Sequence, residues 1–220
     1  MDTTIIIDKV SGSDNSLTFD IKGDPNVGLH KSIVNSVRRT LLSAIPTVGF
    51  RTNIDDSDIK IIKNTTSLHN EFLMHRLSMI PVYLDPETYE KQYLFYLNVK
   101  HDSNHPFKFV TTDDIKIYPL KNGVEPSDTI DIDNYDFKKP LSKQLHNEIF
   151  RPYEFRGKEY PILITELKST ESDELFQELI CYGVPSISDG REHARWKGVS
   201  DATYTFIENE ELFMKIANDK

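Results

Sequence analysis

Ser32-Ile33-Val34-Asn35-Ser36-Val37-Arg38-Arg39-Thr40-Leu41-Leu42-Ser43-Ala44-Ile45-Pro46-Thr47-Val48-Gly49-Phe50 is the stretch on which the reading of this chain turns. It reads as one amphipathic helix, stopped by a proline, running straight into a strand. Aliphatic side chains stand at Leu29, Ile33, Val37, Leu41 and Ile45, an i, i+4 row that Val34 and Ala44 widen into a stripe. Arg38 and Arg39 sit side by side, turned partly away from it. The helix ends before Pro46, because the residue preceding a proline is pushed out of the helical region. A stripe this regular must be covered, by the chain's own sheet or by another polypeptide, and a share of each is expected. Burying five aliphatic side chains at about 1.5–3 kcal/mol each gives on the order of 8–15 kcal/mol gross. Association costs of roughly 4–15 kcal/mol are comparable, so packing quality and further contacts decide the affinity.

Outward from the helix, Leu17-Thr18-Phe19-Asp20-Ile21 alternates apolar and polar and predicts a half-buried strand, with Ile5-Ile6-Ile7 as its pairing partner. Gly23-Asp24-Pro25-Asn26 breaks the pattern, with Asp24 as N-cap and Pro25 at the first helical position, or a start near Asn26. From about residue 51 to 189 short strand-like segments recur, at 59–62, 93–99, 107–110, 115–118, 161–165 and 179–182. One helix is expected among them at 67–79, and a polar loop at 120–140. The fold class is therefore α+β, with a mostly antiparallel β region in the middle. Strand character returns at Ala202-Thr203-Tyr204-Thr205-Phe206-Ile207, followed by a short helical candidate from Glu208 to Asn218.

Composition restricts the chemistry. The 220 residues carry 26 Lys and Arg against 35 Asp and Glu, a formal charge of −9. That balance argues against nonspecific nucleic-acid binding by the whole surface, and direct contact with template DNA is not expected. The single cysteine, Cys181, rules out intrachain disulfides and thiolate-rich zinc or iron–sulfur clusters, and fits a reducing, intracellular compartment. No apolar run approaches the roughly 20 residues that cross a bilayer, so no membrane partner is expected. Met1-Asp2-Thr3-Thr4 lacks the basic start of a signal peptide.

No catalytic constellation emerges. His69 and His75 stand six apart, about 600° around a helix, so they cannot share a metal as an i, i+4 pair would. His193 has no second histidine or cysteine beside it. Asp55, Asp56 and Asp58 cluster in what reads as a solvated turn, and Asp113-Asp114 is a turn signal or a magnesium ligand pair. Gly-x-Ser-x-Gly elbows, phosphate loops and dinucleotide fingerprints are missing from the sequence. No catalytic residue, cofactor site or metal site is expected.

Three segments, in order, resemble the α-like assembly subunit of multisubunit DNA-directed RNA polymerases, the family that includes the archaeal α-like subunit and the third-largest subunit of eukaryotic RNA polymerase II. The first is Asn35 to Thr47, with its paired arginines and Ile-Pro-Thr exit. The second, Asn64-Thr65-Thr66-Ser67-Leu68-His69-Asn70-Glu71-Phe72-Leu73-Met74-His75-Arg76-Leu77-Ser78-Met79-Ile80-Pro81, is similar to the Asn-Thr-Thr…Glu-Phe…His-Arg-Leu…Ile-Pro signature of the archaeal and eukaryotic branch. The third, Gly190-Arg191-Glu192-His193-Ala194-Arg195-Trp196, is close to that branch's Lys-Glu-His-Ala-Lys-Trp loop. Weaker matches lie at Val110–Ile115 and Pro161–Ile164, and the resemblance spans roughly residues 15 to 207.

The resemblance implies a dimerisation domain built from 1–50 and 190–220, a sheet plus the long amphipathic helix, interrupted by an insert domain at 51–189. It implies a non-catalytic scaffold role in transcription. The helix would pair with a smaller α-like subunit, and the heterodimer would dock the second-largest catalytic subunit and small zinc-binding subunits. Leu29, Ile33, Val37, Leu41 and Ile45 would face the small partner, and Arg38 and Arg39 the second-largest subunit, unless they are solvated helix charges. Phe72, Leu73, Leu77 and Ile80 would pack against the insert sheet. Glu71, His75 and Arg76 would form either a subunit contact or a polar helix face. Arg191, His193, Arg195 and Trp196 would lie at an interface, with a local core role for Trp196 as the alternative.

Two departures from the family stand out. Some members carry a cysteine-rich zinc loop or an iron–sulfur domain in the insert, which one cysteine cannot build. In the family the last strand also leads into a long helix, whereas only about a dozen residues follow Ile207 here. This is either a segment of a longer protein or a chain whose missing helix a partner replaces, and in isolation it is expected to aggregate or fold weakly. The competing readings are a free-standing interaction adaptor and an α+β enzyme using His75 or His193 as a base. The host compartment is left open between a nucleus, an archaeal cytoplasm and a viral factory or virion, with the Asn-, Ile- and Lys-rich composition and compact length leaning toward a large DNA virus.

Overall fold

The computed structural model describes residues 5–13, 15–23, 28–53, 56–101, 105–120, 130, 132, 135, 137, 139–169 and 176–207. The chain falls into two compact units, 1–45 with 198–220, and 46–197. It is α+β, with mostly antiparallel sheets and few helices. The candidate turn at Asp24-Pro25-Asn26, most of the 120–140 loop and the candidate helix at 208–218 lie outside the described residues.

In the first unit, β1 (Ile6–Ser13) and β2 (Ser16–Lys22) form an antiparallel ribbon, Ile6 opposite Lys22 and Ser13 opposite Ser16, with a register shift between Asp8 and Ser11. Helix α1 spans Lys31–Ser43. His30 caps it, Nδ1 accepting from the Ser32 backbone N–H at 3.3 Å, and the Ala44 N–H closes the last turn on the Thr40 carbonyl at 2.8 Å. Helix and ribbon both form, but the helix starts at Lys31 under a His30 cap and not at Pro25 or near Asn26, so Leu29 and Ile45 of the aliphatic row flank it. Residues 202–207 do not form the expected strand. Tyr204 and Phe206 keep an edge-to-face contact, centroids 5.7 Å apart, but no ladder joins the segment to another strand. Alternation describes which way side chains point; a strand also needs a free edge opposite it.

The second unit is organised by a four-stranded antiparallel sheet. After β3 (Thr47–Gly49) come β4 (Ile59–Asn64), α2 (Asn70–Ser78), β5 (Tyr93–Lys100), β6 (Phe107–Thr111) and β7 (Ile115–Pro119). Helix α3 (Lys143–Ile149), β8 (Tyr153–Phe155), β9 (Lys158–Tyr160), β10 (Leu163–Lys168), β11 (Glu178–Gly183) and β12 (Ser186–Ser188) complete it. Sheet order is β4-β11-β5-β7, while β6–β10, β8–β9 and β3–β12 are separate antiparallel pairs. Both sheet faces are covered. Phe95, Leu97, Val99, Ile117, Leu179 and Cys181 point into the main core, where Leu73 and Leu77 of α2, Ile149 of α3 and Leu167 of β10 meet them. The opposite face carries Leu94, Tyr118 and Tyr182, with Tyr96, Tyr135 and Phe137 packed on them. Cys181 is fully enclosed, and burial pushes its thiol up to about 12, so it behaves as a small apolar side chain.

Two expectations are corrected here, and of two open readings one is taken. Phe72 is 68% exposed, because the inward face of α2 is set by Leu73 and Leu77 four residues apart. Asp58 is buried rather than solvated: its carboxylate accepts from the Ser186 hydroxyl and the Arg51 backbone N–H, each at 2.7 Å. Asp114 belongs to a capping box with Thr111, accepting that residue's backbone N–H at 2.9 Å, which is the turn reading of Asp113-Asp114.

Leu179 has no exposed surface and lies in the strand flanked by β4 and β5. Leu179→Ala should cost about 2–5 kcal/mol of unfolding free energy. Urea titration followed by Trp196 fluorescence checks this; a loss under about 1 kcal/mol would mean that the core collapses around the cavity.

Candidate subunit interface

Helix α1 is amphipathic yet has no buried residue. Leu29, Val37, Leu41 and Ile45 are half-buried, and Ile33 is 39% exposed. The ribbon of the same unit is barer still, with Ile5, Ile6, Ile7, Val10 and Leu17 between 47% and 67% exposed. A helix of about a dozen residues is marginal in water and owes its stability to packing. The row that should supply that packing is only partly covered. Arg38 turns back along the helix, its Nε and Nη2 donating to Asn35 Oδ1 at 3.1 and 3.0 Å. Arg39 is exposed. Among the described residues neither guanidinium meets a carboxylate.

In the second unit the exit of the first sequence motif meets the third motif. Strands β3 and β12 pair through Thr47–Ser188, Val48–Ile187 and Gly49–Ser186. The loop after β12 ends in a single 3-10 turn, Ala194–Trp196, which lays the indole against Gly49. A Cβ at residue 49 would stand 3.1 Å from the ring, so glycine there makes room for the tryptophan. Thr47 Oγ1 donates to the Trp196 carbonyl at 2.9 Å. Trp196 is 1% exposed, so the local-core alternative describes it.

Charge closes the corner. Arg51 forks onto Glu192, Nε to Oε1 at 2.8 Å and Nη2 to Oε2 at 2.9 Å, and its guanidinium lies 5.9 Å from the indole centroid. Ser188 Oγ also donates to Glu192. These bonds to the charged carboxylate hold Glu192 near pKa about 2, and the same pair raises Arg51. Asp58 beneath shifts the other way, because burial outweighs the bonds it accepts from Arg51 and Ser186. Arg195 donates to the Phe50 carbonyl at 3.3 Å and to Thr52 Oγ1. His193 caps the turn, Nδ1 accepting from the Arg195 backbone N–H and Nε at 3.2 Å each. Burial, Arg195 and His75 hold the imidazole below its ordinary value. Its Nδ1 lone pair is thus committed to Arg195. Arg191 is exposed, pairing loosely with Asp189 at 3.9 Å.

The middle motif builds a joint. Asn64 Nδ2 donates to the Leu68 carbonyl at 2.8 Å and Asn70 Oδ1 at 2.7 Å, while its Oδ1 takes the Thr66 N–H and hydroxyl. Thr65 Oγ1 accepts the Glu178 N–H at 2.7 Å. The Asn-Thr-Thr residues therefore fasten α2 to β4 and β11. Arg76 is exposed at its surface but is not a free cation: Nε donates to the Ile164 carbonyl at 2.7 Å and Nη2 to that of Leu163 at 3.1 Å. It holds α2 to β10 by backbone acceptors that residue type alone does not reveal. Glu71 and His75 stay on the outer face. Among the described residues no group of three or more His, Cys, Asp or Glu could hold a metal ion. Nor is any helix among them long and apolar enough to cross a membrane.

No family model matches the chain. Individual curated proteins do. Over 206 residues, 90% of this chain, it is 32% identical to the subunit rpac1 of DNA-directed RNA polymerases I and III from Dictyostelium discoideum, covering 51% of that protein. An 84-residue stretch, 38% of this chain and 21% of the relative, is 34% identical to the human subunit RPAC1 of the same polymerases. The archaeal DNA-directed RNA polymerase subunit Rpo3 of Methanosphaera stadtmanae is 23% identical over 205 residues, 87% of this chain and 59% of its own length. The chain thus spans about half the length of the curated relatives that match along most of it.

Glu192 is ionised far below the ordinary carboxylate range, so it stabilises the fold fully above pH about 4.5, and this is lost as pH falls toward about 2. Glu192→Gln should therefore lower stability at neutral pH, with the gap to the parent closing on acidification. Urea midpoints taken from pH 7 down to 2.5 check it; a gap that stays constant would remove the ion pair from the account.

Proposed function

This chain belongs to the α-like subunits of DNA-directed RNA polymerases, and we propose that within such an enzyme it is a non-catalytic assembly subunit. In this reading 1–50 with 190–220 is the dimerisation domain, and 51–189 is the insert. Helix α1 pairs with a smaller α-like subunit. The heterodimer then docks the second-largest catalytic subunit, with Arg38 and Arg39 offering two forked donors to its carboxylates or carbonyls. Small zinc-binding subunits join the same assembly, which works inside the cell on DNA-templated transcription, and this chain does not itself touch the template.

The observation that carries the reading is the partly covered row along α1. Ile33, Val37 and Leu41 keep the spacing of a buried helix face, with Leu29 and Ile45 just beyond its two ends, yet none of the five is buried. Apolar surface of that regularity is the surface a partner helix covers. The outer-face residues Glu71, His75, Arg191 and His193 remain for contacts with larger neighbours, whereas Arg76, Arg195 and Trp196 support the fold beneath them.

Affinity purification of the tagged full chain from its native cells should bring down a smaller subunit and two chains each far larger than itself. Recovery of this chain as a well-behaved monomer with a cooperative melt would end the proposal, and recovery with unrelated proteins would favour a free-standing adaptor. Val37→Asp with Leu41→Asp should cut recovery of the small partner by at least about tenfold, since an unpaired carboxylate would be buried at the seam. Arg38→Glu with Arg39→Glu should instead spare the small partner and reduce the large chains.

A further inference from the structure

The β8–β9 ribbon has two faces of opposite chemistry. Its register sets Tyr153 opposite Tyr160, Glu154 opposite Glu159 and Phe155 opposite Lys158. Alternation along each strand then gathers Tyr153, Phe155, Lys158 and Tyr160 on one face and both glutamates on the other. Tyr153 and Tyr160 stack with centroids 5.6 Å apart and planes 22° from parallel. Lys158 Nζ lies 5.4 Å from the Tyr160 centroid, and the Arg156 guanidinium 5.1 Å from that of Phe155. Arg156 and Gly157 form the turn with φ of 52° and 73°. The first of these is a left-handed position where Asn or Gly is usual, and here it sets a cation at the tip. Just before β8, the Arg151 guanidinium lies 4.4 Å from the centroid of Tyr83, which is itself 47% exposed.

We propose that this aromatic and cationic face docks an acidic, extended segment of a partner polypeptide. Tyr153 and Phe155 are each 56% exposed, and a two-stranded ribbon cannot bury its own aromatic side. Charge selects the occupant. In a chain of net charge −9, the face presents Arg156 and Lys158, with Arg151 at its foot, and its carboxylates are turned to the back. Two glutamates set directly opposite each other weaken the ribbon by their repulsion, an arrangement that makes sense where the front must stay free of acid. Among the described residues each strand also has an open edge, so an extended segment can add main-chain hydrogen bonds while its carboxylates reach the cations. Single-stranded nucleic acid fits less well. Base stacking needs free ring faces, whereas here Lys158 and Arg156 lie over two rings and Tyr153 and Tyr160 stack on each other.

The inference rests on the assembly reading only in that the partner is sought in the complex the tagged chain brings down. The test places the photo-cross-linker p-benzoylphenylalanine at Tyr153, or at Glu154 as a back-face control, in the tagged full chain purified with its partners. Irradiation and peptide sequencing should map the Tyr153 probe to one segment rich in Asp and Glu, and leave the Glu154 probe without that product. Arg156→Glu with Lys158→Glu should cut the yield at least about tenfold, and Arg156→Lys with Lys158→Arg should retain most of it. Cross-links to nucleic acid, to a segment without excess acid, to a second copy of this chain through such a segment, or none at all overturn the proposal. If polymerase chains are absent, the assembly reading fails by itself, while a cross-link to an acidic segment of another chain still upholds this surface.

Discussion

The planar fit of Arg51 on Glu192 joins residues 141 apart in sequence, and the corner of the second unit is arranged around it. A lysine could not make this contact, because the two parallel bonds need the fork of a guanidinium. The pair is partly exposed, 23% and 32% at the side chains, so its contribution to stability is modest. Most of the energy comes from the indole it covers. Burying the 150–250 Å² of a tryptophan is worth roughly 4–6 kcal/mol gross, several times an exposed ion pair. Apolar burial holds the corner shut, and the ion pair determines which loop closes it and in what register.

The two units solve the same problem differently. In the second, the sheet is covered on both faces, and Asp58 and His146 go inside with partners; His146 Nε2 lies 3.1 Å from both the Thr112 and Ile115 carbonyls, whereas the ring nitrogens of buried His101 have none. In the first, a regular helix and a ribbon rich in isoleucine leave their apolar side chains half in water. Folding alone explains the second arrangement. The first is the arrangement that the proposed role in an assembly would account for.

What the sequence discloses follows the range of the interaction. Helix α1 is legible because its period, its proline stop and its aliphatic row are all local. The strands of the main sheet are legible for the same reason, each carrying its own alternation. Residues 202–207 carry that alternation too and form no strand, since the signal is silent about a partner edge. Asp58 reads as solvent-facing until Ser186, 128 positions later, arrives beside it. Arg76 reads as a surface cation because its acceptors are backbone carbonyls, which no residue code announces. The ribbon at 153–160 is hidden by brevity, with three-residue strands and an arginine where a turn signal would be asparagine. The meeting of the helix exit with the Gly190–Trp196 loop is invisible locally, although both segments stand out as motifs.

Strand β11 lies in the interior of the four-stranded sheet, between β4 and β5, yet it follows both in the chain by many residues. Until positions 178–183 leave the ribosome, β4 and the β5–β7 pair have no common neighbour, and two strand edges wait with their backbone N–H and C=O groups unpaired. This high contact order implies slow closure and a long interval in which nascent chains can pair wrongly with one another. The sheet of this protein therefore closes only when its last-made strand arrives, and β11 is the piece that joins β4 to the β5–β7 pair.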